Sequence, residues 1–343
     1  MYNLKMKRSL LILLILFLSG VGFAQQTKPV ETSRKLKKVS HVQDSVYLMS
    51  FFKGNVQHLH YAYSYDARHW VDINNGNPVF NAYDDKIWLR DPCMKKVTRN
   101  GVTKYHLVHT WGWDNPTIFH WESTDLIHWT AANGGTSTSD GKIPVMDGKN
   151  GNGTSKNAWA PEFTFDAQTA TYYIYWASNN GAGYMQHFYC TTKDWLTFTP
   201  SALYFDPGIT TIDMTIINFK GLYYAFYKGE GVQKGKIKVA TSKSLDPAVQ
   251  RFIGTTNALP ESYITPAEGP SVFKMIGGKS WCIYWDKFVG DLGLSYATST
   301  NPSVSANWSV ISDEQIVNPT KGRHGSVEII SGKELKALLD FYK

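Results

Sequence analysis

The sequence predicts an all-β chain whose strands close into a five-bladed β-propeller. Three observations carry that reading. The 343 residues include 12 Trp, 20 Tyr, 17 Phe and 28 Gly, and helical periodicity is confined to an N-terminal apolar run and to "GKELKALLDFY" near the C-terminus. Such a composition favours strands and tight turns. A polar turn then recurs five times, as "YAYSYDARHW", "HWESTDLIHW", "YCTTKDWLTF", "VATSKSLDPA" and "YATSTNPSVSANW". Its hydroxyl residues Ser64, Ser123, Thr192, Ser242 and Ser299 stand 50 to 69 residues apart, the period of a propeller blade. Finally, an aromatic strand precedes each turn: "VYLMSFF", "YHLVHTWGW", "YYIYWAS", "LYYAFYK" and "WCIYW".

The blades follow in chain order. Each repeat opens on a short segment: "LRDPCM" (89–94), "WAPEFTF" (159–165), "IDMTII" (212–217) and "EGPSVF" (268–273). The fifth, "RHGSVEII" (323–330), stands at the C-terminus without a hairpin after it, and the hairpin at 46–70 has no opening strand before it. The N-terminal hairpin is therefore expected to pair with the C-terminal strand, which shuts the ring and removes a free sheet edge.

Ahead of the first hairpin, Lys5, Lys7 and Arg8 precede the apolar stretch Leu10 to Leu18 and the small-residue site Gly22-Phe23-Ala24. That order reads as a signal peptide over 1–24. It is shorter than the ~20 apolar residues of a membrane span. A polar N-terminal arm (25–45) and one catalytic propeller domain (46–343) complete the organisation, and the chain is expected to be exported to a bacterial periplasm or the exterior. The formal charge of +7 falls by three with the leader. The rest is too scattered for nucleic-acid binding. Cys93, Cys190 and Cys282 are an odd set in strand-like surroundings, read as buried thiols.

First strands of propeller blades line the axis, and their starts meet at one end of the channel. Those starts carry Asp91, Glu162, Asp213, Glu268 and His324, read as equivalent positions in the five repeats. Crowded carboxylates cannot all ionise cheaply, so one stays protonated. An acid beside a carboxylate is the equipment of glycosidic cleavage: one protonates the leaving oxygen while the other activates water or attacks carbon. The chain has no phosphate-binding glycine loop, no His-x-x-x-His zinc pair and no G-x-S-x-G nucleophile elbow.

The ordered set "RDP", "WAPE", "ID", "EGP" and "RHGSV" resembles glycoside hydrolase family 43 over roughly residues 45–330. The resemblance implies a five-bladed propeller that inverts the anomeric centre. It implies that Asp91 is the general base, Asp213 the aspartate that tunes and orients the acid, and Glu268 the general acid. It also implies that His324 stands near the axis, facing a structural calcium or its waters; the chemistry itself requires no cofactor. Cys93 and Met214 depart from the small residues usual beside the two aspartates.

Trp111 and Trp113 are candidates for stacking on sugar, Trp159 for walling the pocket, Glu162 for binding hydroxyls, and Arg323 for pairing with substrate or with Asp91. The expected function is exo-acting removal of terminal α-L-arabinofuranose from a plant-type polysaccharide by a monomer. β-Xylosidase, galactofuranosidase and exo-galactanase activity stay open, as does a catalytically silent carbohydrate-binding propeller. An invertase-like retaining enzyme needs an early "NDPNG"-like segment, where this chain has "FFKGNVQHLHY".

Overall fold

The second strand of each repeat shows little of the alternation of a half-exposed strand. Tyr172, Ile174 and Trp176 on one face and Tyr173, Tyr175 and Ala177 on the other are all buried. A strand apolar on both faces needs cover on both sides, and neighbouring blades supply it. The computed structural model of the chain describes residues 44–148, 155–179, 181, 183–229, 235–260, 266–289 and 293–343. The leader, nearly all of the arm, and the middle of the Gly/Asn-rich loop at 146–159 lie outside the described residues.

Among these residues the chain forms five four-stranded antiparallel sheets. Blade one holds β1 (Ser45–Lys53), β2 (His60–Ser64) and β3 (Val71–Asp72). Blade two holds β4 (Leu89–Arg99), β5 (Val102–Trp111), β6 (Thr117–Ser123) and β7 (Lys142–Pro144). Blade three holds β8 (Trp159–Asp166), β9 (Thr171–Ser178), β10 (Gln186–Thr192) and β11 (Ala202–Phe205). Blade four holds β12 (Thr211–Phe219), β13 (Leu222–Gly229), β14 (Lys236–Ser242) and β15 (Ile253–Asn257). Blade five holds β16 (Glu268–Lys274), β17 (Trp281–Asp286), β18 (Leu294–Ser299) and β19 (Ser309–Val310). The expected closure is present: β20 (Gly322–Ser331) pairs with β1 as the fourth strand of blade one.

Closure depends on small residues. At Gly325 an added Cβ would lie 1.9 Å from the Ser50 carbonyl oxygen. The Ser326 hydroxyl meets that of Ser50 at 2.9 Å and accepts the Met94 amide of blade two at 2.7 Å. The "GSV" of the last opening segment is thus a joint between three strands. Five apolar clusters fill the gaps between successive blades, and one of them joins Tyr47 and Met49 of blade one to Phe273 and Tyr284 of blade five. Helix α1 (Gly332–Phe341) follows β20. Ser331 caps it by accepting the Glu334 amide at 3.2 Å, Glu334 accepts the Ser331 amide at 2.7 Å, and Leu335 and Leu338 seal the blade one–two gap. Among the described residues no helix is long and apolar enough to cross a membrane.

The recurring polar turns sit at the far ends of the third strands. In the first three blades a Ser or Thr hydroxyl donates to Asp66, Asp125 or Asp194 two residues on, at 3.0, 3.0 and 3.2 Å. That carboxylate accepts two backbone amides beyond it, those of Arg68 and His69, Ile127 and His128, or Leu196 and Thr197. The residue after the Asp takes a positive φ of 60° to 68° at Ala67, Leu126 and Trp195. The cysteines are buried and unbridged.

Candidate active site

Every innermost strand breaks register at the same step. Two residues bulge against one on the next strand: Asp91-Pro92, Ala160-Pro161, Asp213-Met214, Gly269-Pro270 and Arg323-His324. In the first four the leading residue is left-handed, with φ of 51°, 45°, 57° and 55°. A β-bulge bends the strand and re-aims its side chains, and proline fits there because the ladder needs no amide from it. Aspartate tolerates positive φ better than most residues, which suits Asp91 and Asp213. At Gly269 an added Cβ would lie 2.5 Å from Cγ of His324.

This register corrects the expectation of five equivalent ionisable positions. Asp91 and Asp213 lead their bulges and His324 is second in its own. Glu268 stands one residue before a bulge, and Glu162 one residue after. The bulges bring four of the five together. A recess of about 470 Å³ is lined by Asp91, Asp213, Glu268 and His324, with Phe52, Arg90, Thr110, Gly112, Trp113, Trp159 and Ile212. It borders an outer cleft of about 1370 Å³ that shares Arg90, Trp113 and Glu268.

Each carboxylate has its own environment. Asp91 accepts from the Thr110 hydroxyl at 3.2 Å and faces His324 Nδ1 at 3.4 Å. Burial opposes its charge, but the His324 hydrogen bond and the Arg90 and His324 charges outweigh that and hold the carboxyl below its usual range. Burial likewise opposes a charged His324, yet Asp91 and Asp213 raise it to about 9, so it is an imidazolium. Asp213 accepts the Gly269 amide at 2.9 Å. Burial lifts its carboxyl to about 6, the His324 charge offsetting part of the rise and Glu268 and Asp91 adding to it. Glu268 is gripped from both sides, by Lys228 Nζ at 2.9 Å and by Arg323 at 3.2 Å. Arg323 also pairs with buried Asp286.

Two substrate-contact expectations need correction, and so does the alternative that paired Arg323 with Asp91. Trp111, the last residue of β5, packs edge-on against Phe119 at 5.5 Å and under Lys142, outside the recess lining. Gly112 turns the chain at φ 68°, so Trp113 lines the recess and Trp111 does not. Glu162 is buried, bound to Lys95 Nζ at 3.0 Å and within 3.5 Å of the Tyr175 hydroxyl, and it does not line the recess. Arg323 pairs with Glu268 and Asp286 rather than Asp91. Trp159 walls the recess as expected, edge-on to Trp113 at 5.4 Å with its Nε1 donating to the Trp113 carbonyl.

Lys228, Asp286 and Arg90 escaped the sequence reading. Arg90 stood beside the "DP" of its motif, and Asp286 ends a recognised aromatic strand. Lys228 likewise closes the recognised strand "LYYAFYK". Calcium demands six to eight oxygen ligands. Among the described residues the carboxylates that act on His324 are Asp91, already on the imidazolium, Asp213, already on an amide, and Glu162, already on Lys95. This donor set does not fit calcium.

An α-L-arabinofuranosidase of Bifidobacterium longum subsp. longum is 27% identical over 243 residues, which is 59% of this chain and 22% of that protein. The match thus spans about a fifth of the relative's length. A solved structure described as Bacteroides ovatus xyloglucan PUL GH43B aligns with a TM-score of 0.50 at 18% identity, over 71% of this chain and 43% of that one; it speaks for the fold alone. The catalytic domain of a Coprinopsis cinerea GH62 α-L-arabinofuranosidase gives 0.49 at 16% identity, over 69% and 72%. The family model for a glycosyl hydrolase 43-related, probable glycosyl hydrolase domain matches residues 44–336, nearly the whole described propeller. The chain belongs to the glycosyl hydrolase 43-related family.

Proposed function

We propose that the protein is an exported, exo-acting, inverting glycoside hydrolase that removes terminal α-L-arabinofuranosyl units from a plant-type polysaccharide. One observation carries the reading: Asp91 and Glu268, from the opening strands of two different blades, line the same recess as a desolvated third carboxyl, Asp213. Inversion uses a base and an acid on opposite sides of the sugar, ~6.5–9.5 Å apart, so that a water fits between base and anomeric carbon. Asp91, kept ionised by His324, takes a proton from that water as its oxygen bonds to the anomeric carbon. Glu268 gives its proton to the departing glycosidic oxygen as the old bond breaks. Exchange with solvent restores both groups. Lys228 and Arg323 orient Glu268, and Asp213 fixes the bulge beside it through the Gly269 amide.

The choice of arabinofuranose is supported by the name of the Bifidobacterium relative. A panel of nitrophenyl glycosides tests it. Turnover of the α-L-arabinofuranoside above the β-xyloside and the galactosides is expected, with loss of turnover in Asp91→Asn and Glu268→Gln. Binding of these sugars without turnover of any of them would make the protein a silent carbohydrate-binding propeller.

A further inference from the structure

Most of the charged groups around the recess make ion pairs with one another. Asp91 faces imidazolium His324, Glu268 has Lys228 and Arg323, and Asp286 has Arg323. Two cations in the outer cleft, Arg90 and Lys321, are left without an ion-pair partner among the described residues. Arg90 lies over the Phe52 ring at 4.6 Å and the Trp113 ring at 4.4 Å, and it donates once, to Gln57 Oε1 at 3.1 Å. A guanidinium stacked on aromatic rings keeps its in-plane donors for other partners, and it has five of them. This one belongs to the wall shared by the catalytic recess and the outer cleft.

We propose that the outer cleft is a subsite for an anionic sugar residue, a uronate or a sulfate ester, next to the bond that is cut. The proposal rests on the glycosidase reading for its location and extends it to the class of glycan. Neutral hydroxyls are served by any mixture of donors and acceptors, whereas a guanidinium that makes no ion pair, on the wall of a binding cleft, favours an anion, held by charge-assisted and often bidentate hydrogen bonds. Lys321 on the same cleft adds to that field. The substrate is then an acidic polysaccharide in which a charged unit accompanies the terminal sugar.

Binding measurements on the full chain separate this proposal from the catalytic one, because they need no turnover. Isothermal titration at low salt would compare neutral galactobiose, digalacturonate and a sulfated galactobiose. At least one charged disaccharide is expected to bind ten-fold or more tightly than the neutral one, and the tighter of the two identifies the anion. Raised salt is expected to weaken that binding. Arg90→Gln is expected to bring charged and neutral ligands within two-fold of each other, and Lys321→Gln, at an exposed site, to narrow the gap without disturbing the fold. Equal affinities, a preference that survives in the double variant, or no binding of any of the three would overturn the proposal, whatever the glycoside panel shows.

Discussion

The outer turns and the axial bulges are both repeated features of the blades, and they use repetition in opposite ways. At the turns of the first three blades the residues themselves repeat: hydroxyl, Asp, then a left-handed residue, with matching hydrogen bonds. At the axis the backbone distortion repeats five times while the side chains differ. Identical residues in repeated settings hold the blades. Different residues in and beside a repeated bulge make one asymmetric site, with an ionised Asp91, a desolvated Asp213 and a doubly paired Glu268. A repeat motif is therefore a poor guide to chemistry in this chain, and the departures from it a better one.

Breaking the axial side of that contrast should cost activity before stability. Asp91→Asn and Glu268→Gln are each expected to lower kcat by ~10³-fold, within the range for a positioned acid or base. Their melting temperatures should fall only modestly beside that loss, by what each forfeited ion pair contributes. A comparable loss from Asp125→Ala would erase the distinction.

Gly269→Ala should damage both. Its Cβ would strike the His324 ring at a φ of 55°, and ~2–4 kcal/mol of stability should be lost, read as a lower denaturant midpoint with a fall in kcat. A variant of parental stability would mean that the bulge relaxes freely.

A pH series sharpens the electrostatic part. Unfolded histidine titrates near 6.5 and folded His324 at about 9. Its pairing stabilises fully below pH 6.5 and is lost as pH rises through 9. For Asp213 the folded value of about 6 exceeds the model value of 3.8, so its preference for the protonated form also fades as pH rises across that interval. Melting temperature should therefore fall with pH in the upper window, and His324→Gln should flatten it; in the lower window the buried histidines His60 and His109, held down to about 4 by burial, gain stability with pH and oppose Asp213. A slope unchanged in that variant would locate the effect elsewhere.

The smallest effect belongs to the outer turns. Asp125→Ala removes acceptors for Ser123, Ile127 and His128 and should cost ~1–2 kcal/mol, with kcat/KM unchanged.

The contrast also explains what the sequence made legible. Aromatic strands buried on both faces and turns repeating at blade spacing expose the propeller and its closure, because burial and turn chemistry act on neighbouring residues. The bulge register is different. "RDP", "APE", "ID" and "EGP" look interchangeable as strings, yet the acidic residue falls in the bulge in two of them, one residue before it in "EGP" and one after it in "APE". Glu162 is drawn out of the site by Lys95 of the preceding blade, and Glu268 is oriented by Lys228 of the preceding one. Such pairs form across blade boundaries, where sequence distance carries no signal. The split between Trp111 and Trp113 depends on the single left-handed turn at Gly112.

The central claim is that two unlike carboxylates, Asp91 in one axial bulge and Glu268 beside another, carry out a single inverting displacement. Proton NMR of the first sugar released from an α-L-arabinofuranoside tests it most directly. The account predicts that β-arabinofuranose appears first and then mutarotates, and that neither anomer forms at a comparable rate with Asp91→Asn or Glu268→Gln. Initial release of the α-anomer, or parental turnover in either variant, would contradict it.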